Sequence, residues 1–316
     1  MEFFKQKTKI RFMATRKWWY ALSGVFIAAS LVALWKPGLN YGIDFTGGIA
    51  IELSFPQAAD LDKLREAVSG AGFADAQVQN FGTSRDVIVR LEPRTEANGT
   101  PTSGTVIGER IVAAAKPGQP GVELRRVDVV GPQVGGELRE KGYLATLFTF
   151  IFILVYIALR FQWKLGVGAI LAAMHTPIVI LGFFAATQMT FDLTVLAAIL
   201  AVVGYQINDT VVVFDRARER FPLMRGAKAP DVLDAAINET LSRTIITSVA
   251  TMVVVAALLV LGGETLVGFS AAILIGVVVG TYSSIYIASA SALDMGLTAA
   301  NLMSVREKAQ PVDNLP

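Results

Sequence analysis

Gly204-Tyr205-Gln206-Ile207-Asn208-Asp209-Thr210-Val211-Val212-Val213-Phe214-Asp215-Arg216 closes a long apolar run and places a carboxylate inside it. The run begins at Leu193 and ends at Phe214, long enough for a helix to cross a hydrocarbon layer about 30 Å thick. Asp209 stands five residues before Phe214, roughly 8 Å from the end of the run at the helical rise. An aspartate at that depth costs at least ~2.5 kcal/mol unless it is neutralised or paired. Five further stretches meet the same criterion: Trp18 to Trp35, Tyr143 to Leu159, Leu165 to Thr187, Ile245 to Leu261 and Leu266 to Ala290. Asp209 is the only carboxylate well inside any of them. The first run follows basic residues as a signal peptide would. Its length, its rim of Trp18, Trp19, Tyr20 and Trp35, and the lack of a small-x-small site before Lys36 read instead as a spanning helix.

Composition agrees. The chain of 316 residues is 53% hydrophobic and 17% charged, with a mean hydropathy of +0.53. Soluble domains are nearer a quarter charged, so lipid is expected to cover much of this surface. The absence of cysteine excludes a disulfide scaffold, thiolate metal sites and thiol catalysis. A single histidine, His175, argues against a His-rich metal site or a Ser-His-Asp triad. The net charge of +2 and the lack of interleaved basic and aromatic residues do not suggest nucleic acid as a partner. No P-loop, Rossmann glycine run, HExxH or nucleophile elbow is present, and an intramembrane aspartyl protease needs two facing aspartates.

Lysine and arginine set the orientation. Lys5, Lys7, Lys9, Arg11, Arg16 and Lys17 precede the first span, and Arg160 and Lys164 lie between the second and third. Arg216, Arg218, Arg220, Arg225, Lys228 and Arg243 lie between the fourth and fifth, and Arg306 and Lys308 lie in the tail. All fall on one side if both termini are cytoplasmic. The expected organisation is then a cytoplasmic N-terminus and first helix over 1–36, and an extracytoplasmic domain over 37–141. Helices two to six follow over 142–290, with a cytoplasmic loop at 215–242, and 291–316 form a cytoplasmic tail.

The 37–141 block lacks long apolar runs and is large enough to fold alone. Its pattern predicts strands at Ile49–Phe55, Gln77–Phe81, Val87–Leu91 and Val122–Val130. It predicts helices at Leu61–Ser69, capped by Asp60, and Val106–Lys116, closed by Pro117-Gly118. The order β-α-β-β-α-β is that of a ferredoxin-like α+β domain. Arg94 to Gly104 reads as an exposed loop, and its Asn98-Gly99-Thr100 as a chance glycosylation match.

Several residues carry both a functional and a structural reading. Asp209 is a protonatable site in an ion path, or an acid satisfied by neighbouring helices. Asn208 is adjacent to it in sequence, and Tyr205 lies one turn away on the same face. Arg243, at the edge of the fifth span, either snorkels to the cytoplasm or points toward Asp209. His175, before Thr176-Pro177 in the third span, is a proton relay or a hydrogen-bonded packing residue. Ala272, Gly276, Gly280, Ser284 and Ala288 recur every fourth residue in the sixth span, a small-residue ridge for close packing within the chain or with a partner. Asp44 to Gly48 and Gly131 to Gly136, which include Gly47 and Gly135, flank the extracytoplasmic block as hinges or close-packed joints.

Taken together, Gly42-Ile43-Asp44-Phe45-Thr46-Gly47-Gly48, Gly131-Pro132-Gln133-Val134-Gly135-Gly136-Glu137-Leu138, the fourth-span motif and Arg243-Thr244 with Thr247-Ser248 resemble the SecF family. That family belongs to the RND superfamily, and the resemblance covers nearly the whole chain. It implies an α-helical membrane protein that is half of an RND-type unit, with SecD as the other half, in the bacterial inner membrane. It also implies a task. SecDF uses the proton gradient to help the SecYEG channel and its motor SecA export an unfolded polypeptide, with protons as coupling ion and no cofactor. Asp209 and Arg243 match the family's proton-coupling positions, with Asn208 and Thr247 as polar neighbours. The family's usual His-Asp pair in the third span is His175-Thr176 here, and Gln206 replaces a more usual serine. Two other readings remain. One is half of a small-molecule RND transporter, against which one modest outer domain speaks. The other is an assembly subunit without proton flux, which does not require an intramembrane acid.

Overall fold

The computed structural model describes residues 8–92, 103–224 and 226–298. Lys5, Lys7, residues 94–102 of the expected loop with its Asn98 sequon, Arg225, and tail residues 299–316 with Arg306 and Lys308 lie outside the described residues. The chain divides into two compact units.

The first unit is Met1–Asn40, Thr146–Met189 and Thr194–Pro316. Among the described residues, six helices are long and apolar enough to cross a membrane. A 3-10 turn at Met13–Thr15 leads into α1 (Arg16–Trp35). Further along the chain run α5 (Pro132–Arg160), α6 (Trp163–Thr187), α7 (Leu193–Leu223) and α8 (Ala229–Leu261). After a 3-10 turn at Glu264–Leu266, α9 (Val267–Ser283) passes through a π-helical turn at Ser284–Ala288 into α10 (Ser289–Asp294). The apolar windows of α6, α7 and the α9–α10 helix are 56%, 50% and 50% buried, against 11%, 11% and 17% for α1, α5 and α8. The third, fourth and sixth spans are therefore the interior, and the other three present leucines, valines and phenylalanines outward. Where such side chains face lipid they need no protein cover.

Two boundaries depart from the sequence reading. The expected loop at 215–242 is mostly helix: α7 runs on to Leu223 and α8 begins at Ala229. Hydropathy marks the lipid-spanning part of a helix, not its end. Beyond it, Arg216 pairs with Glu219 at 2.7 Å, and Arg216 and Arg220 both pair with Glu239. Likewise α5 starts at Pro132, well before Tyr143, since a proline at the first helical position loses no intrahelical bond.

The second unit is Tyr41–Ala145 with Thr190–Leu193. In chain order it contains the one-turn α2 (Ile43–Thr46), β2 (Gly48–Ser54), α3 (Leu61–Gly70), β3 (Gln77–Phe81), β4 (Thr83–Leu91), α4 (Gly104–Ala115) and β5 (Glu123–Val130). The sheet order is β3-β4-β2-β5. All neighbours are antiparallel, with Ile51 opposite Val89 on one side and Val127 on the other. This is the expected βαββαβ arrangement. Strand alternation sends Ile49, Ile51, Leu53, Val87 and Val89 to one face, where Leu64 and Val68 of α3 and Ile107 and Ile111 of α4 complete the core. Asp60 caps α3 by accepting the Lys63 N–H at 3.2 Å. Two short strands, β1 (Asn40–Tyr41) and β6 (Thr190–Phe191), form a separate ladder.

Candidate functional site

On α7, residues three and four apart share a face. Gln206, Asp209, Thr210 and Val213 accordingly turn inward together. Asp209 is 3% exposed, and its Oδ2 has no hydrogen-bond partner. One turn earlier, Gln206 is 1% exposed; its Nε2 donates to Ala172 O of α6 at 2.7 Å, and its Oε1 is unpartnered. Ser283 Oγ of α9 donates to the same carbonyl at 3.2 Å. Pro177 lacks the N–H that would bond the carbonyl of Ala173, and the Gln206 and Ser283 bonds fall on the carbonyl next to it.

Asn208 does not join this group. It is exposed, because the neighbour in sequence is turned about 100° away around a helix. Arg243 is also exposed, and among the described residues no ion pair within 4 Å joins it to Asp209. Its backbone carbonyl accepts Thr247 Oγ1 at 3.0 Å, so the Thr247 hydroxyl serves its own helix rather than Asp209. The residue that does reach across is Ser248. It shares one hydrogen bond with Tyr205 OH of α7 at 3.3 Å and another with Thr281 Oγ1 of α9 at 2.8 Å. The sequence singles out Tyr205 and Thr247, shows Gln206 only as a substitution and Ser248 only as part of a motif, and gives no sign of Thr281. A polar residue at i−3 from Asp209 and a second hydroxyl beside Thr247 were the available signals.

His175 is 3% exposed, and neither ring nitrogen has a hydrogen-bond partner. The hydrogen-bonded packing histidine is therefore not what the structure contains. Its ring lies 5.9 Å from that of Tyr282, whose hydroxyl donates to Trp19 O at 2.7 Å and meets Ser23. Its neighbour Thr176 is wholly buried with an unpartnered Oγ1.

All five ridge residues, Ala272, Gly276, Gly280, Ser284 and Ala288, are buried within the chain. A Cβ on Gly276 would fall 2.6 Å from Val202 Cγ1 and 3.0 Å from Ile180 Cδ1, and one on Gly280 would fall 3.4 Å from Gln206 Cβ. The ridge continues on the π-helical turn, where the Ala288 carbonyl lies against Gly168. It is thus an internal seam against α6 and α7.

In the domain unit, the two glycine stretches meet. Gly47 has φ +70°, a conformation that favours glycine. A Cβ on it would lie 2.9 Å from Pro132 Cα, and a Cβ on Gly135 would lie 2.6 Å from Gly47 N. Gly48 opens β2 against Leu91 O, while Gly131 has open space around it. Asp44 Oδ2 accepts the Leu193 N–H at 3.1 Å. Among the described residues no cluster of His, Cys, Asp or Glu could hold a metal ion.

Comparison with known proteins adds names to this geometry. A family model described as "Protein export membrane protein SecD/SecF, C-terminal" matches residues 111–298, and one described as "SecD/SecF GG Motif" matches residues 32–59. The protein translocase subunit SecF of Vibrio alginolyticus is 47% identical over 99% of this chain and 98% of its own length. That of Pseudomonas aeruginosa is 45% identical over 97% and 98%. Among solved structures, the crystal structure of SecDF from Thermus thermophilus superposes with a TM-score of 0.81 at 34% identity. That match covers 91% of this chain and 39% of the solved one, so the chain spans about two fifths of that structure.

Proposed function

Because the chain belongs to the SecF family of protein translocase subunits, we propose that Asp209 carries the protons that drive its part in protein export. Family membership makes it a multi-pass membrane protein and a component of transport rather than an enzyme. The observation that carries the proposal is the Asp209 carboxylate, buried to 3% exposure inside a membrane-spanning helix and with one oxygen unpartnered. A purely structural acid would have its lone pairs satisfied. An acid that must gain and lose a proton needs a site where neither state is locked by a close partner, and the unpartnered Oδ2 of Asp209 meets that need.

In this reading the chain pairs with SecD, as the solved SecDF chains that it partly matches suggest, and works beside the SecYEG channel and SecA on an unfolded polypeptide. Both termini lie in the cytoplasm of a bacterial inner membrane, and the domain unit faces outward and changes orientation as the proton site cycles. His175 contributes as a second buried group that can take a proton, at the depth where the family's pair has lost its acid. The test is Asp209→Asn in the native complex reconstituted into vesicles. Packing survives in the near-isosteric variant, while gradient-dependent stimulation of export is lost. Full gradient-dependent export by that variant would exclude Asp209 as the carrier.

A further inference from the structure

The segment Thr190–Leu193 opens the helix that carries Asp209, yet belongs by its packing to the domain unit. Several interactions hold it there. Gly42 N–H donates to Phe191 O at 2.8 Å. Phe45 stacks on Phe191 with centroids 5.7 Å apart, and Tyr41 meets the same ring edge-on at 6.0 Å. Arg90 donates from the middle of the sheet to Tyr41 O at 3.3 Å and to Thr190 Oγ1. The guanidinium is buried, and that burial pulls its pKa down while the charge of Asp192 opposes the shift. Gly42 packs tightly on the same segment: a Cβ there would lie 3.1 Å from Asp192 Cβ and 3.3 Å from Thr190 Cγ2. Finally, Asp44 Oδ2 accepts the N–H of Leu193, the first residue of α7, at 3.1 Å.

We propose that Asp44 is a positioning residue for the Asp209 helix: with residues 190–192 held against Gly42, Phe45 and Arg90, the Asp44 carboxylate seats the first turn of α7 and thereby sets the placement of Asp209. The first N–H groups of a helix have no intrahelical partner, and a carboxylate there satisfies one of them and complements the helix dipole. Such caps usually come from the residue next to the helix. This one comes from a residue 149 positions away, so it ties two distant parts of the chain together. From Leu193 the helix runs unbroken to Asp209, roughly 24 Å at its rise per residue, so a shift or rotation at the first turn is carried to the acid. By linkage, the protonation of Asp209 then biases the Asp44 contact to the same extent. The inference rests on the reading of Asp209 as the proton carrier.

The experiment uses the native complex in vesicles and reads gradient-driven proton flux per assembled complex. Asp44→Ala is expected to lower it about fivefold, the worth of one cap. Asp44→Asn, whose amide oxygen accepts the same bond, is expected to restore it to within about twofold. Leu193→Pro removes the donor from the other side, at a position where helices tolerate proline. It should match the loss in Asp44→Ala, and the double variant should be no worse than either single. Unchanged flux in Asp44→Ala, no rescue by Asn, or additive losses in the double variant would each overturn the proposal. If Asp44→Ala fails to assemble, the Asn and Leu193→Pro variants decide alone. Asp209→Asn run in parallel separates the two claims. Flux lost there but intact in the cap variants sinks the positioning role only, whereas flux retained in Asp209→Asn sinks the carrier reading on which it rests.

Discussion

Gln206 of α7 donates its Nε2 to the main-chain carbonyl of Ala172 on α6 at 2.7 Å, beside the ladder break left by Pro177. The bond fastens the Asp209 helix to the third span one turn from the acid. Gln206→Leu keeps the side-chain bulk but removes the donor, leaving Ser283 as the only side-chain donor to that carbonyl among the described residues. Hydrogen bonds between membrane helices are worth about 0.6–2 kcal/mol. A drop of that size in resistance to unfolding in detergent is expected. Gln206→Ser should behave like Leu, because the shorter side chain cannot span the gap to Ala172.

The internal seam makes a sharper claim. At Gly276 a Cβ would already collide with both methyls of Val202 and with Ile180, whereas at Gly280 it would reach ordinary contact with Gln206. Gly276→Ala should therefore cost more than Gly280→Ala, with overpacking of about 1–3 kcal/mol at the former. Equal thermal stability of the two variants in the purified chain would show that the seam gives way more easily than its geometry implies.

Asn208 and Asp209 are neighbours in sequence and opposites in environment, one exposed and one buried. Asn208→Ala should leave the stability of the isolated chain within about 0.5 kcal/mol. A loss of complex recovery in the same variant would place Asn208 at the surface that meets the partner. Unchanged recovery and export would make it a lipid-facing or solvated residue.

Glu52 supplies a pH prediction outside the membrane. It lies on β2 opposite Arg126 of β5, and burial pushes its carboxyl above the ordinary value, with Arg126 and Arg125 opposing the shift and Asp128 and Asp86 adding to it. A raised folded pKa means that the folded state binds the extra proton. The associated stability is fully present below the unfolded value of about 4.5 and is lost as pH rises through the folded pKa. Glu52→Gln should thus flatten the pH dependence of unfolding above that value and stabilise the domain at neutral pH. Denaturant titrations at pH 4.5 and 7.5 would reveal a steeper decline in the wild type if the sign is right.

Much of this architecture was legible because simple periodicities carry it. Gln77–Phe81 matched residue for residue, and the Asp60 cap was readable, since strands and capped helices in the domain follow local rules. All six spans were visible for the same reason. The helix ends were not, because charged turns such as Arg216–Arg220 look like loop to a hydropathy criterion yet are held in helix by Glu239 of another helix. Asp209 announced itself by cost alone. Its surroundings did not, since Gln206–Ala172 and Tyr205–Ser248–Thr281 bring together residues from different spans, whose azimuths no single-helix pattern fixes. The π-helical turn at Ser284–Ala288 had no sequence signature, because the every-fourth ridge runs through it unbroken.

The last prediction concerns the glycine junction in the domain unit. Gly135 and Gly47 approach so closely that a methyl on Gly135 would sit 2.6 Å from Gly47 N and 3.1 Å from Gly47 Cα. The obstruction is main chain, which cannot rotate aside as a side chain can. Gly47 is itself fixed at φ +70° with Pro132 packed against it. Gly131 shares the glycine-rich stretch but has nothing within 4 Å of a would-be Cβ and a φ open to other residues. If the stretch acts as a close-packed joint, Gly135→Ala should destabilise the domain by about 1–3 kcal/mol through overpacking, and Gly131→Ala should be near neutral. If it acts instead as a swivel, flexibility matters more than fit. Gly131→Ala would then impair gradient-driven export without lowering thermal stability, and Gly135→Ala would do no worse. Measuring unfolding of the purified chain and export by the native complex for both variants separates the two. The close approach of Gly47, Pro132 and Gly135 favours the joint. In that case the first turns of α5 are part of the domain's packed body, as their place in the domain unit also indicates.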